Sequence, residues 1–313
     1  LYKLFDIIKV LLQHPQIDTN VKDSEGRTPL HLACEKSKID LIKTLLNNPK
    51  TDVNAIDHKQ RTPLSIACFD KNLSIIQLLI NRQDLRVSIP EQKNPIKYAI
   101  KKNDRQIFKI LIHHPSFDVN QLDLKSVTPL GYAIKEQNID FVHQLLLIPG
   151  IDINKQFFNK KKKYRYWGWR NRSSDDDEGT FATPLNIALK LNNPQIMKML
   201  AQSPLLNVNE YIKGKTVLHS AIITRSSQLA ALILSVPNVD VNLKTSIDPD
   251  SISLRTDRYD DQENDPFLHG MNALHIACIQ GDKNTVKELL KRDDIDINEF
   301  TNYREDILYF SSF

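Results

Sequence analysis

Glycine is scarce in this chain, 8 in 313 residues. No glycine-rich run of the kind that cradles phosphate occurs, so nucleotide chemistry of that type has no carrier. Cysteine is scarcer still, at 3, which excludes a disulfide scaffold. No apolar run approaches the roughly 18 residues a membrane-spanning helix needs; Leu229 to Val236 is among the longest. The opening residues carry no signal-peptide pattern. Excess charge is also missing: 42 basic against 38 acidic residues leave +4. That is too little to make nucleic acid or a membrane surface the partner of the whole molecule. With 41% hydrophobic and 26% charged residues, the composition is that of a chain that folds and buries a core.

What the chain has in abundance is self-similarity. Thr28, Thr62, Asn94, Thr128, Thr183, Thr216 and Asn272 each stand 26 residues before Asn54, Ser88, Asn120, Asn154, Asn209, Asn242 and Asn298. A constant separation at so many positions marks a repeat array, in which each unit covers an apolar face of its neighbour.

The first unit shows the physical logic. Thr28 is a helix cap, and Pro29 suits the first helical position, where its missing N–H costs nothing. Leu30, Leu32 and Ala33 are expected to point inward. Alanine recurs at Ala67, Ala99, Ala133, Ala188, Ala221 and Ala277, so backbone must pass close there. A second cap position reads Lys38, Asn72, Asp104, Asn138, Asn193, Ser226 and Asp282, of which six are good cap formers. Apolar residues at helical spacing follow, as in Leu41, Leu45 and Leu46. Pro49, Pro115, Pro149, Pro204 and Pro237 come shortly after these helices. Extended Asp-x-Asn pieces such as Asp52 to Asn54 then lead to the next unit. Cys34, Cys68 and Cys278 share one position with Ile100, Ile134, Leu189 and Ile222, which makes it a buried apolar site. Neighbouring helices stack about 8–10 Å apart, too far for a disulfide. Reduced thiols and a cytoplasmic protein are expected, with the nucleus left open.

Helix, turn, helix and extended loop at a 32–34 residue period resemble the ankyrin repeat. Thr28-Pro29-Leu30-His31 carries the resemblance, with its variants at 62–65 and 183–186, the pairs Leu218-His219 and Leu274-His275, and the loop glycines Gly26, Gly214 and Gly270. The resemblance implies an all-α repeat solenoid of stacked helix-turn-helix units with hairpin-like finger loops. It also implies a structural role for His31, His219 and His275, which would hydrogen-bond loop backbone. Stacking separates these three too far to share a metal, so no metal or cofactor is expected. No nucleophile, base and orienting acid form a recognisable set, and no enzyme is expected. Asn94-Pro95-Ile96-Lys97 and Asn272-Ala273 depart from the tetrad, so those two repeats are expected to be less regular.

The organisation expected is a partial repeat at 1–20, four repeats over 21–154, an insertion at 155–182 and two repeats over 183–242. A second insertion at 243–271, one repeat at 272–298 and a partial repeat at 299–313 complete it. The incomplete ends suggest a monomeric array within a longer polypeptide. Both insertions leave from one edge, where fingers emerge. The first holds Lys160, Lys161, Lys162 and Lys163, then Tyr164, Tyr166, Trp167, Trp169 and Arg170, then Ser173-Ser174 before Asp175-Asp176-Asp177-Glu178. Such a run suits an acidic protein groove, single-stranded nucleic acid, or a solvated loop whose two halves pair. The second insertion is acidic and lacks a calcium-loop spacing.

Copies otherwise in register vary at finger residues His58, Lys59 and Glu91, among others. Residues free of packing duty are available for recognition. The function expected is a non-catalytic scaffold that binds another protein through its concave face, finger loops and the 155–182 insertion. Two alternatives stay open. One is a targeting or regulatory segment of a larger enzyme, channel or ubiquitin-ligase adaptor; the other is nucleic-acid contact through the basic aromatic loop. Ser173 and Ser174 resemble acidophilic kinase sites, and phosphate there would strengthen pairing to the lysines. Phosphorylated protein is therefore expected to be cleaved more slowly by protease within 155–182; an unchanged rate counts against the pairing.

Overall fold

A computed structural model describes residues 10–11, 14, 16–88, 94–160, 179–246 and 269–301, with backbone only at 159–160 and 179–181. The chain forms two compact units, residues 1–152 with 157–179, and residues 153–156 with 180–313. In the first, four helix pairs follow one another: α1 (Pro29–Glu35) with α2 (Ile39–Leu46), α3 (Pro63–Phe69) with α4 (Leu73–Ile80), α5 (Pro95–Lys101) with α6 (Arg105–Ile112), and α7 (Pro129–Lys135) with α8 (Ile139–Leu146). The second holds three: α9 (Pro184–Lys190) with α10 (Pro194–Ala201), α11 (Val217–Ile223) with α12 (Ser227–Leu234), and α13 (Ala273–Ile279) with α14 (Lys283–Leu289). First helices pack on first helices of the next repeat, α1 on α3, α3 on α5, α5 on α7, and in the other unit α9 on α11 and α11 on α13. This is the all-α repeat solenoid that the sequence pattern implies. Two short strands, β1 (Phe157–Lys160) and β2 (Gly179–Ala182), flank the first insertion.

Every first helix is seven residues long, a length set by its two ends. At the start, Thr62, Thr128, Thr183, Thr216 and Asn272 each accept the N–H three residues on, satisfying a donor the helix leaves orphaned. Asn94 does the same with two donors, those of Ile96 and Lys97 at 2.9 and 3.3 Å. The first helices at Asn94 and Asn272, in units expected to be irregular, are therefore as long and as well capped as the rest, while the second helix after Asn272 is one residue shorter than the other six. Asparagine caps as well as threonine, so the missing tetrad residues cost no geometry.

At the other end, the N–H of Lys38 reaches the Ala33 carbonyl at 2.9 Å and that of Ser37 reaches Cys34 at 3.0 Å. This pair of bonds turns the chain through a left-handed residue. The same position is Lys71, Asn103, Gln137, Asn192, Arg225 and Gly281, all with φ between 50 and 66°. Glycine would adopt that conformation without strain, yet it occurs there once. The recurring alanine makes the turn fit: its carbonyl holds the second helix's cap residue in all seven repeats, at 2.8–3.1 Å. All seven alanines are at most 1% exposed.

Five second helices are capped by side chains, from Asn72, Asp104, Asn138, Asn193 and Asp282. Ser226 is not among them, contrary to its residue type, and neither is Lys38. Leu32 is only half-buried where Ile66, Tyr132, Ile187 and Ile276 are buried, and Cys278 is half-buried where Cys34 and Cys68 are buried. At the first of these positions Tyr98 and Ser220, in inner repeats, are half-buried as well.

The loops are tied by asparagine. Asn54 donates from Nδ2 to the Asp84 carbonyl (2.7 Å) and accepts at Oδ1 from the Arg86 N–H (2.8 Å). The same two bonds recur from Asn20 to Lys50 and Asp52, and from Asn120 to Gly150 and Asp152. In the second unit they run from Asn154 to Leu205 and Asn207, from Asn209 to Asn238 and Asp240, and from Asn242 to Asp294 and Asp296. The Asp two residues earlier has its own task, accepting the N–H of Asn20, Asn54, Asn120 and Asn242 at 2.8–2.9 Å. Between them sits a buried valine or isoleucine such as Val53, Val119 or Val241. Ser88 stands in the asparagine register with one bond only, accepting the Asp118 N–H at 2.8 Å. Asn120→Ala removes two inter-repeat bonds and is expected to lower stability by about 1–3 kcal/mol. Ser88→Ala should cost about half as much. Urea denaturation of both variants measures the ratio, and equal losses would contradict this account.

Candidate protein-binding face

In several repeats the fourth tetrad residue joins the first helix to the following finger loop. His31 accepts the Thr28 N–H at Nδ1 (3.1 Å) and its Nε2 meets the Arg61 carbonyl (3.0 Å). His219 does likewise between Thr216 and the Leu243 carbonyl, at 3.1 and 2.9 Å. Burial pushes the pKa of both rings down, that of His219 to about 4, so both are neutral clasps at pH 7. Their role is loop positioning, as the resemblance implies.

In the fourth repeat this residue is Gly131, and a Cβ built on it would lie 3.0 Å from the Phe157 ring. Phe157 is fully buried. It stands in the register of Asp23, Asp57 and Asp123, three residues after the ladder asparagine. A ring from the loop thus fills the space a histidine occupies elsewhere.

The fingers themselves are held at their bases by that aspartate. Asp57 Oδ1 accepts the Arg61 N–H (2.8 Å) while Oδ2 accepts from the Arg61 side chain (2.7 Å). Burial raises the Asp57 carboxyl, but those two Arg61 bonds outweigh it and hold the group below its ordinary range. Glu35 then joins two repeats by bonding both Arg27 (3.2 Å) and Arg61 (2.5 Å). Adjacent fingers also share backbone bonds: His58 N–H to Glu25 (2.9 Å), Phe158 N–H to Ser126 (2.8 Å) and, in the second unit, Ser246 N–H to Gly214 (2.8 Å). At the second insertion Thr245 replaces the aspartate and keeps its work. Its N–H donates to the Met271 carbonyl (2.8 Å), its hydroxyl accepts the Met271 N–H (3.2 Å) and its carbonyl accepts the Gly270 N–H (2.9 Å), so the neck of that insertion is closed.

Of the residues singled out from sequence, His58 and Lys59 lie together on a finger. The His58 ring is where a Cβ on Gly26 would clash at 2.6 Å, and Lys59 pairs with Glu25 at 2.7 Å while staying exposed. Lys160 ends β1. Lys161, Lys162, Lys163, Tyr164, Tyr166, Trp167, Trp169, Arg170, Ser173, Ser174 and Glu91 lie outside the described residues.

What the sequence reading missed is the last residue of each first helix. These are Glu35, Phe69, Lys101 and Lys135 in the first unit, and Lys190, Ile223 and Ile279 in the second. Glu35 and Lys135 both reach finger atoms, the latter through a 2.7 Å bond to the Phe158 carbonyl, so this position faces the fingers. Variation right beside the constant alanine was the signal available in the sequence. Behind the row, Lys97 (3.3 Å) and the Tyr132 hydroxyl (2.5 Å) share Asp123 Oδ2. A shallow cleft of about 450 Å³ beside Lys101 is lined by Asn103, Arg105, Glu136, Asn138 and Asp140 among others.

Stacked helix pairs with tied, variable fingers define a repeat domain of the protein-interaction class. A family model described as ankyrin repeats (3 copies) matches residues 2–89 and 64–157, and one described as ankyrin repeat matches 269–302. The chain belongs to the ankyrin repeat family. Between the matched ranges, α9 to α12 repeat the same helix pair. No curated protein matches the chain. Among solved structures, it is similar to the crystal structure of the ankyrin repeat domain of Bcl-3, titled a unique member of the IkappaB protein family. That likeness covers 85% of this chain and 100% of the other, with a TM-score of 0.59 and 19% identity, and shows the fold.

Burying neutral His219 makes stability depend on pH. Its folded pKa lies below the ordinary 6.5, so its stabilisation is full above pH 6.5 and is lost as pH falls through about 4. Between pH 7 and 4.5 the chain is expected to lose about 2–3 kcal/mol more than a His219→Gln variant does. Parallel urea melts at the two pH values check this, and equal losses would remove His219 as the cause.

Proposed function

We propose that this chain is a non-catalytic scaffold that binds a partner protein through the first-helix and finger face, with the 155–182 insertion adding contact. The observation that carries the reading is a division of labour within each repeat. First-helix caps, alanines and, in all but one loop, ladder asparagines recur and are occupied in packing or hydrogen bonds, whereas the last first-helix residue and the finger tips differ in charge and size from copy to copy. A rigid ledge with variable side chains favours binding because little ordering remains to be done when the partner arrives. Free thiols at Cys34, Cys68 and Cys278, two of them buried, support residence in a reducing compartment such as the cytoplasm.

Photo-crosslinking tests the face directly. A benzophenone side chain at Lys59 or Lys101 is expected to trap a partner from cell extract, and the same group at Lys43 or Lys109, exposed on second helices, is not. The reverse pattern would overturn the proposal. Removing 161–178, which leaves the buried Phe157 in place, is expected to lower the yield severalfold.

A further inference from the structure

Resting on that reading, we infer that the finger-facing row of the first unit takes an extended acidic peptide anchored by one aromatic or aliphatic side chain. Phe69 supplies the anchor site. It is 61% exposed, its ring centroid lies 5.4 Å from that of Tyr98, and the Tyr98 hydroxyl donates to the Phe69 carbonyl at 3.0 Å. Two aromatic rings from adjacent repeats are thus already pinned together, Phe69 exposed and Tyr98 half-buried beneath it. Large, ordered apolar surface of this kind is what interface anchors pack on.

The next two repeats place Lys101 and Lys135 at the same helix position. The two cations are available to a partner for different reasons. Lys101 has Glu136 at 3.9 Å, with both side chains more than 40% exposed, a pairing worth little in water. Lys135 has no carboxylate in ion-pair range among the described residues. Its ammonium lies 5.1 Å from the Phe157 ring centroid and donates to one carbonyl, which leaves donors unspent. Burial lowers its pKa to about 8, a cost that an incoming carboxylate would reverse. The neighbouring Asp123 is already engaged by Lys97 and Tyr132. Glu35, at the other end of the row, is consumed by Arg27 and Arg61.

The spacing then sets the peptide. Stacked helices lie about 8–10 Å apart, and three residues of extended chain span about 10 Å. An apolar residue over Phe69 and Tyr98 therefore puts acids three and six positions away opposite Lys101 and Lys135, in either chain direction. A nucleic-acid strand fits less well, because its unbroken phosphate charge would also run past the exposed Asp70 beside Phe69, where the peptide carries its apolar residue.

A random twelve-residue peptide library displayed on phage and panned against the intact chain tests this. Enriched peptides are expected to carry the apolar residue with acids at three and six. A synthetic peptide of the enriched sequence should bind at least tenfold more weakly to Lys101→Glu and several-fold more weakly to Phe69→Ala. Lys101 and Phe69 are exposed, so both variants should fold. Enrichment without acids, acids at helical spacing, or no enrichment at all would overturn the inference. So would unchanged affinity in both variants, or an oligothymidine that binds and is lost with Lys101→Glu. Crosslinks from the finger face alongside any of these would leave the interaction proposal standing, whereas crosslinks from the second helices would remove both.

Discussion

The structure depends on a side-chain amide that behaves like a piece of backbone. Each ladder asparagine gives one hydrogen and takes one, so it pairs with the following loop as a strand residue would pair with its neighbour. Six residues do this, from Asn20 to Asn242, with bond lengths of 2.7 to 2.9 Å. Helix stacking alone is a hydrophobic contact without direction, and it would tolerate a slide of one repeat past another. The amide bonds are directional. They set the register of successive loops, and with it the spacing of the fingers and of the row Glu35, Phe69, Lys101 and Lys135.

That register converts local differences into a surface. A single repeat with a lysine at the end of its first helix offers an exposed charge of little consequence. Placed one helix diameter from the next lysine and from a pinned aromatic pair, the same residue becomes part of a spaced pattern. The finger network works in the same way. Arg27 and Arg61 close their own loops on Asp23 and Asp57, and through Glu35 they also join each other. Loop closure and loop-to-loop coupling are then one set of bonds.

Much of the fold was legible because its devices are local. Thr-Pro starts, second-helix caps and the Asp that turns its own Asp-x-Asn loop each act within a few residues, and most do in the structure what their chemistry suggests; the asparagine's bonds to the next loop, about 30 or more residues on, were not legible. The left-handed turns were not legible, since Ser37, Lys71, Gln137 and Arg225 carry no sign of them; the demand comes from the alanine carbonyl that the next cap must reach. Nor was the pairing of Gly131 with Phe157. Those residues are 26 apart in sequence, and only the register of the loop brings the ring over the glycine. The finger-facing row was hidden for a related reason: its members differ, and difference next to a constant residue looks like noise until stacking aligns it.

The neck at Thr245 and Met271 gives the chain a property that no single repeat has. Both ends of the second insertion are clasped where an ordinary finger would be, so the stack meets the same geometry whatever is spelled out between them. Once the ends are held, lengthening a loop costs only about 0.6 kcal/mol per doubling. Mutation at this point is insulated from the architecture, and the repeat becomes a socket in which sequence can be exchanged without renegotiating the fold. The first insertion has no such insulation, because Phe157 ties its opening residues to Gly131. The chain thus offers two ports for evolutionary change, one wired into the core and one cut off from it.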